Sequence, residues 1–254
     1  MLSVNRQEIK FYITKQESVS LQGRLGEILR PDKFAQRGYY RVRSMYFDSL
    51  ENIDFYEKLC GEKKRKKIRM RVYGKDPDTI KLELKDKDGV YQKKLSLLLS
   101  KEEADLMLRS DYNFLLERDE DNARLIYVIV TQGFYRPKRI IEYYRRAFVF
   151  PDFDTRITFD ENILWRKEDI SLCSEVYGTP ILEPGCALME IKIGSAMPMW
   201  LCRVLSENGI FQTSFSKYGR AYETIQAEEL ASAAQRADRK IEVAEIGRAS
   251  CRER

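Results

Sequence analysis

The stretch TIKLELKD, residues 79–86, alternates without a break. Ile80, Leu82 and Leu84 fall on one face of an extended strand, and Lys81, Glu83 and Lys85 fall on the other. A slip of one residue would exchange the two faces, so such a strand needs an apolar environment on one side and a charged one on the other. The pattern recurs along the chain. QEIKFYI places Glu8 and Lys10 on one face, in phase with the preceding Arg6. IRMRVYG aligns Arg69 with Arg71, PKRIIEYYRRAFVF aligns Glu142, Tyr144 and Arg146, and MEIKIG aligns Glu190 with Lys192. For one strand the ordinary reading is a solvated outer face. Here several strands carry Arg, Lys and Glu where an outer face would also carry Thr, Ser and Gln. Together they point to an inverted arrangement, with the charged faces enclosed and the apolar faces turned outward under helices.

The segments between these strands supply the helices. Thr14 with Glu17 and Ser100 with Glu103 form capping boxes for helices that begin at residues 15 and 101. Further helices are expected over 52–59, 119–131 and 198–208, the last closed by Gly209, and from Ser216 to about Ala234. DKDG marks a hairpin between TIKLELKD and VYQKKLSLLL. EKKRKK, residues 62–67, reads as an exposed hairpin loop able to guide an anionic polymer. The class is therefore α+β: an antiparallel β-barrel tunnel of about eight strands, closed or nearly so, with a polar basic lumen and helices around it. One domain is expected over residues 1–228 and a helical tail over 229–244. The final EIGRASCRER, 245–254, reads as translated sequencing-adapter read-through.

Composition narrows the chemistry. The chain has no histidine, which removes the commonest general base, the usual zinc ligand and the histidine-dependent triads. The net charge of +5 is a mild basic excess, suited to a local cluster around an anion and not to a polybasic coat. Five cysteines without a CxxC pair read as reduced thiols of a cytoplasmic protein. No signal peptide, membrane span or nucleic-acid-binding module is visible. A lumen lined by Lys and Arg calls for an anionic guest, and interspersed carboxylates serve as partners or as ligands for a hard cation.

With these residues in view, the chain resembles the VTC-type polyphosphate polymerase domain of the triphosphate tunnel metalloenzyme (CYTH-like) superfamily. The likeness runs from RQEIKFYI to SFSKYGRAYE and takes in SMYFDSLENIDFYEKL, IRMRVYG, LELKDKDG, YYRRAFVFPDFDTRITFDENI and LMEIKIG. Arg6 stands at the first acidic position of the superfamily's ExExK start, giving RxExK, a departure that favours the VTC branch. These residues include no stretch like the fungal relatives' SPX domain or membrane helices, so the resemblance implies a member of the stand-alone bacterial kind. The resemblance implies that Lys10, Arg69, Arg71, Lys85, Arg146, Arg156 and Lys217 act on the transferred phosphate. It implies binding by Lys58, Lys94 (or its neighbour Lys93), Lys192, Ser216 and Tyr144, and Mg²⁺ or Mn²⁺ held by Glu190.

The expected partners are ATP and polyphosphate, without nucleic acid. The expected reaction is transfer of the terminal phosphate of ATP to a growing chain. Hydrolysis of inorganic or nucleotide triphosphate is a second reading, and a non-catalytic tunnel that binds polyphosphate or nucleotide is a third. The RxExK start and SFSKYG favour the first over the second, and Glu190 weighs against the third.

Overall fold

The computed structural model describes residues 7–36, 38–74, 79–89, 91–150, 154–167, 171–175, 177–194 and 197–224. The chain opens with β1 (Gln7–Thr14), α1 (Lys15–Ile28), β2 (Arg30–Pro31), β3 (Tyr40–Asp48) and α2 (Ile53–Leu59). A meander follows: β4 (Lys64–Tyr73), β5 (Ile80–Asp88) and β6 (Tyr91–Leu99). Next come α3 (Lys101–Leu108), a 3-10 turn at Asn113–Leu116 and α4 (Asp121–Gln132). The second half holds β7 (Arg136–Phe150), β8 (Thr155–Arg166), β9 (Thr179–Pro180), β10 (Cys186–Ile193), α5 (Met199–Glu207) and β11 (Gln212–Thr213), and residues 217–224 are helical. Both capping boxes form: Thr14 and Ser100 accept from the backbone of Glu17 and Glu103, whose carboxylates accept in return. Gly209 follows α5 at φ 61°, a conformation that suits glycine. The expected helical tail and the terminal EIGRASCRER lie outside the described residues, as does Arg6.

Among the described residues all strands belong to one antiparallel sheet in the order β11-β1-β10-β8-β7-β3-β4-β5-β6, with β2 paired to β7 and β9 to β8. Eight of the strands run eight residues or more. The edges β6 and β11 are not paired with each other, yet the sheet curls far enough to bring Lys85 Nζ of β5 within 3.6 Å of the Glu8 carboxylate on β1. The result is a nearly closed half-barrel of the α+β class.

Period two decides which face is outside. Ile68, Met70, Ile80, Leu82, Leu84, Leu95 and Leu97 are buried against α3, the 3-10 turn and α4. Ile9, Phe11, Phe148, Ile157, Met189 and Ile191 are buried against α1 and α5. Leu82 is fully buried at the centre of the first cluster, so Leu82→Ala should lower stability by about 2–5 kcal/mol. A fall in the urea midpoint at constant slope checks this.

Two expectations need correction. The segment EKKRKK is not all loop, because β4 begins at Lys64 and carries Lys67 onto the inner face. Nor is the inner face polar throughout. Val42, Tyr46, Ile141, Tyr143 and Leu188 line one part of it and are covered by Phe55 of α2 and by Phe215, Tyr218 and Ala221. The Tyr218 hydroxyl donates to the buried Asp48 carboxylate at 2.9 Å, which anchors helix 217–224 inside the curl. Among the described residues no helix is long and apolar enough to cross a membrane.

Candidate active site

Strand pairing assembles the inner face row by row. Glu8, Lys192 and Arg156 are neighbours across β1, β10 and β8, and Lys10, Glu190 and Thr158 form the next row. Asp160 stands beside Arg145 on β7. On the other wall Ser44, Arg71 and Lys81 align, then Tyr46, Arg69 and Glu83, then Lys67, Lys85 and Lys94. The curl turns these walls toward each other.

Each carboxylate in this lumen is shared among cations. Glu83 accepts from Arg69 Nε at 2.8 Å, lies 3.6 Å from Arg71 and pairs with Lys94. Asp160, fully buried, takes a two-pronged contact from Arg145 at 2.6 and 2.7 Å, and Lys217 Nζ at 2.7 Å. Glu190 lies 3.1 Å from Lys192, and Glu8 lies 3.1 Å from Lys10. Lys10 also donates to the Phe215 carbonyl at 3.2 Å, tying β1 to the segment that carries Lys217. Burial alone would raise these carboxyls. Arg69, Arg71 and Lys94 outweigh it at Glu83, Arg145 and Lys217 at Asp160, and Lys192, Lys10, Lys217 and Arg145 at Glu190, so all three stay below the usual carboxylate range.

The lumen thus gathers Lys10, Arg69, Arg71, Lys85, Lys94, Arg156, Lys192, Lys217 and Glu190 from the sequence expectation. Between the two candidates, Lys94 pairs across from Lys85 on the inner face, while Lys93 pairs across from Asp86 on the outer parity. Lys58 reaches the rim from α2, where burial and then Arg65, Lys10 and Lys87 hold its ammonium below the ordinary value. The Ser216 hydroxyl accepts from Gly219 N at 3.3 Å and so caps helix 217–224 next to Lys217.

Arg146 and Tyr144 are not on this face. The Arg146 guanidinium lies over Phe148 at 5.2 Å and donates to Gln22 of α1 at 3.3 Å, on the outer side. Tyr144 lines an outer pocket of about 150 Å³ with Arg41, Arg43 and Glu142. The lumen residue is Arg145. β7 carries charge on both faces because its outer Glu142 pairs with buried Arg43, so alternation alone leaves the parity open. Counting back from Phe148, which packs under α1, would have selected Arg145.

Lys67, Arg145, Tyr46 and Asp160 were not singled out from the sequence. Tyr46 is buried, and its oxygen accepts from Arg69 at 3.2 Å. Burial would raise this phenol, but Arg69, Lys67 and Arg71 bring it down to about 7. Burial lowers the Lys67 ammonium to about 8, with Lys10, Arg69 and Lys85 adding to the effect against the pull of Tyr46. Between pH 7 and 8.5 the lumen therefore gains a phenolate and loses an ammonium as pH rises, and anion affinity should fall. One unit charge about 8 Å away at an effective dielectric of about 40 is worth roughly 1 kcal/mol, or about fivefold in affinity. Titrating tripolyphosphate by calorimetry across this range checks it, with Lys67→Arg expected to flatten the upper part of the fall and Tyr46→Phe the lower.

Among the described residues no group of three or more His, Cys, Asp or Glu stands ready to hold a metal unaided. Burial and the nearby Glu190 charge would raise the Glu8 carboxyl, but Lys10, Lys85 and Lys192 hold it below the usual carboxylate range. Two carboxylates beside a cationic lumen fit an ion held largely by the oxygens of an anionic guest, as Mg²⁺ commonly is.

Comparison with known proteins gives one family match, to the VTC domain, over residues 5–226. No curated protein matches the chain. Solved structures similar to it include a candidate adenylate cyclase of Bacillus halodurans, at 12% identity and a TM-score of 0.49, covering 85% of this chain and 94% of that one. A candidate adenylate cyclase of Vibrio parahaemolyticus follows at 10% identity and 0.46, covering 85% and 97%. A Pyrococcus horikoshii protein reaches 12% identity and 0.45, covering 86% and 99%.

Proposed function

The chain belongs to the VTC domain family, and on that premise we propose that it is a metal-dependent polyphosphate polymerase, moving the terminal phosphoryl group of ATP onto a growing polyphosphate chain. The observation that carries this reading is the length of the cationic lumen. Along β4 the inner residues run Arg71, Arg69, Lys67 and Arg65, about 20 Å at the usual strand rise. That is longer than a triphosphate. Arg145 and Arg71 lie toward the Tyr40 and Tyr73 end of the sheet, where Arg156 donates to the Tyr40 hydroxyl, and Lys67, Lys85 and Lys94 lie toward the other. A second anion can therefore be held in line with the first against their mutual repulsion.

The chemistry needs no histidine. An acceptor that ends in an ionised phosphate brings its own nucleophilic oxygen, so no proton has to move. As the new P–O bond forms, the bond between the γ-phosphorus and its bridging oxygen breaks, and the electron pair stays on the departing ADP. The protein's part is to align the two anions and to neutralise charge on the transferred group. Arg69, Arg71 and Arg145 exchange their carboxylate partners for phosphate oxygens, and their planar forks suit that exchange. Glu190, with Glu8 nearby, would hold a divalent ion that screens the phosphate oxygens. We place the protein in a reducing, cytoplasmic setting, in keeping with the free thiols of Cys60, Cys173, Cys186 and Cys202.

Purified protein given ATP, Mn²⁺ and a short polyphosphate primer should produce long polymer together with ADP. Release of orthophosphate or pyrophosphate alone would replace this reading with a triphosphatase.

A further inference from the structure

The two ends of the lumen differ in chemistry. At one end the inner face carries Lys67, Arg65 and Lys87, with Lys58 on the rim. At the other, β3 begins at Tyr40 and β4 ends at Tyr73, two half-buried rings with centroids 6.2 Å apart. Phe34, from the turn after β2, lies flat against Tyr73 with centroids 5.6 Å apart and planes 5° from parallel. Phe34 as a residue is 52% exposed, and away from Tyr73 and Tyr40 its ring meets the ammonium of Lys33, 4.9 Å from the centroid, on a side chain long enough to swing aside.

We propose that this aromatic mouth, with Phe34 as its outer platform, receives the nucleobase of the nucleoside triphosphate donor. The inference rests on the polymerase reading above and adds where the nucleoside sits and which way the substrate points.

Three observations converge. The rings stand directly beside phosphate-binding cations: Arg156 donates to the Tyr40 hydroxyl at 3.2 Å, Arg145 is the strand neighbour of Tyr40, and the Arg71 guanidinium lies 6.0 Å from the Tyr73 ring. A base on Phe34 therefore leaves its phosphates pointing into the lumen. The platform is also tied to the lumen through one side chain. Asp32 accepts from the Phe34 backbone N–H at 2.6 Å, fixing the turn, and its other oxygen pairs with Arg156. Finally, the opposite end is cationic, which suits an incoming or outgoing polyphosphate better than a neutral ring. Base and polymer are thus kept at opposite ends, and ADP can leave without the chain being released. A planar base stacks on any aromatic face, so the platform predicts preference for a nucleotide over bare triphosphate and little choice among bases.

Calorimetric titration with ATP and with inorganic tripolyphosphate, both in EDTA so that no turnover occurs, tests this. Phe34→Ala and Phe34→Leu should each weaken ATP binding about tenfold, the size of one base–aromatic stack, with tripolyphosphate binding unchanged within about twofold. Phe34→Trp should keep or strengthen the preference for ATP. Retained ATP affinity in Phe34→Leu, or equal weakening of both ligands in that variant, would overturn the proposal and leave the tunnel reading in place. Failure of the wild-type protein to bind either ligand would overturn both.

Discussion

Glu190→Gln should sharply reduce metal-dependent polymer synthesis while leaving the lumen able to bind anions. A bound cation that neutralises a phosphoryl group is worth several kcal/mol, and each 1.36 kcal/mol is a factor of ten, so a loss of about a hundred- to a thousandfold in kcat is expected. The amide keeps the size of the side chain but is a poor ligand for a hard cation. Its effect on bare anion binding should have the opposite sign. Glu190 is buried among Lys192, Lys10, Lys217 and Arg145, which hold its carboxyl well below the usual range against the penalty of burial. Removing the negative charge raises the local potential, so tripolyphosphate in EDTA should bind as tightly as before or more tightly. Stability should fall on the same account. A carboxyl with a depressed native pKa stabilises the fold above its unfolded value, and that contribution is lost as pH drops through the native one. Near neutrality the variant should melt lower than the wild type, and the gap should close in acid. Unchanged turnover at saturating Mn²⁺ would remove Glu190 from the metal role.

Arg145→Lys and Arg146→Lys, one position apart, should differ by more than tenfold in polymer synthesis. Arg145 faces the lumen and grips Asp160 through two nitrogens. Lysine keeps the charge, so Asp160 is not left unpaired in a fully buried position, but it cannot reproduce the planar fork that can turn from carboxylate to phosphate. Losing one well-placed donor to a developing oxyanion costs about 10²–10³ in kcat, and retention of the charge should leave the Arg145 variant toward the lower end of that range. Arg146 lies on the outer side against Phe148 and Gln22, so its replacement should keep activity within about twofold and cost some stability, since long side chains at such sites pack through their stems. Equal loss in both variants, or loss only at residue 146, would contradict the assignment of faces on β7.

Local chemistry made much of this molecule legible. Thr14 with Glu17 and Ser100 with Glu103 act within one turn, so both helix starts could be read directly. β1, β4, β5 and β10 alternate cleanly, because each has one face under a helix and the other in the charged lumen. For Lys10, Arg69, Arg71, Lys85, Glu190 and Lys192, period two therefore identified the enclosed face. β7 did not follow this rule. Its outer side is half covered by α1 and half open to the pocket around Arg43, so charge occurs on both faces. Tyr46 and Lys67 were hidden for related reasons. An aromatic on an inner face looks like core, and a lysine among other lysines looks like a loop.

The sequence by itself determined the eight long strands, the order of the main helices and, outside β7, the segregation of apolar from charged faces. Those properties depend on side-chain direction, which repeats every two residues in a strand and every 3.6 in a helix. The tertiary structure decided which cation meets which carboxylate. Asp160 gathers Arg145 from the neighbouring strand and Lys217 from a helix start 57 positions along the chain (217 − 160). Helix 217–224 covers Val42, Ile141 and Leu188, so it also decided where the lumen is polar and where it is filled. Charge pairing in a buried space depends on separation in three dimensions. Alternation along one strand fixes a side chain's direction but contains no term for what lies opposite.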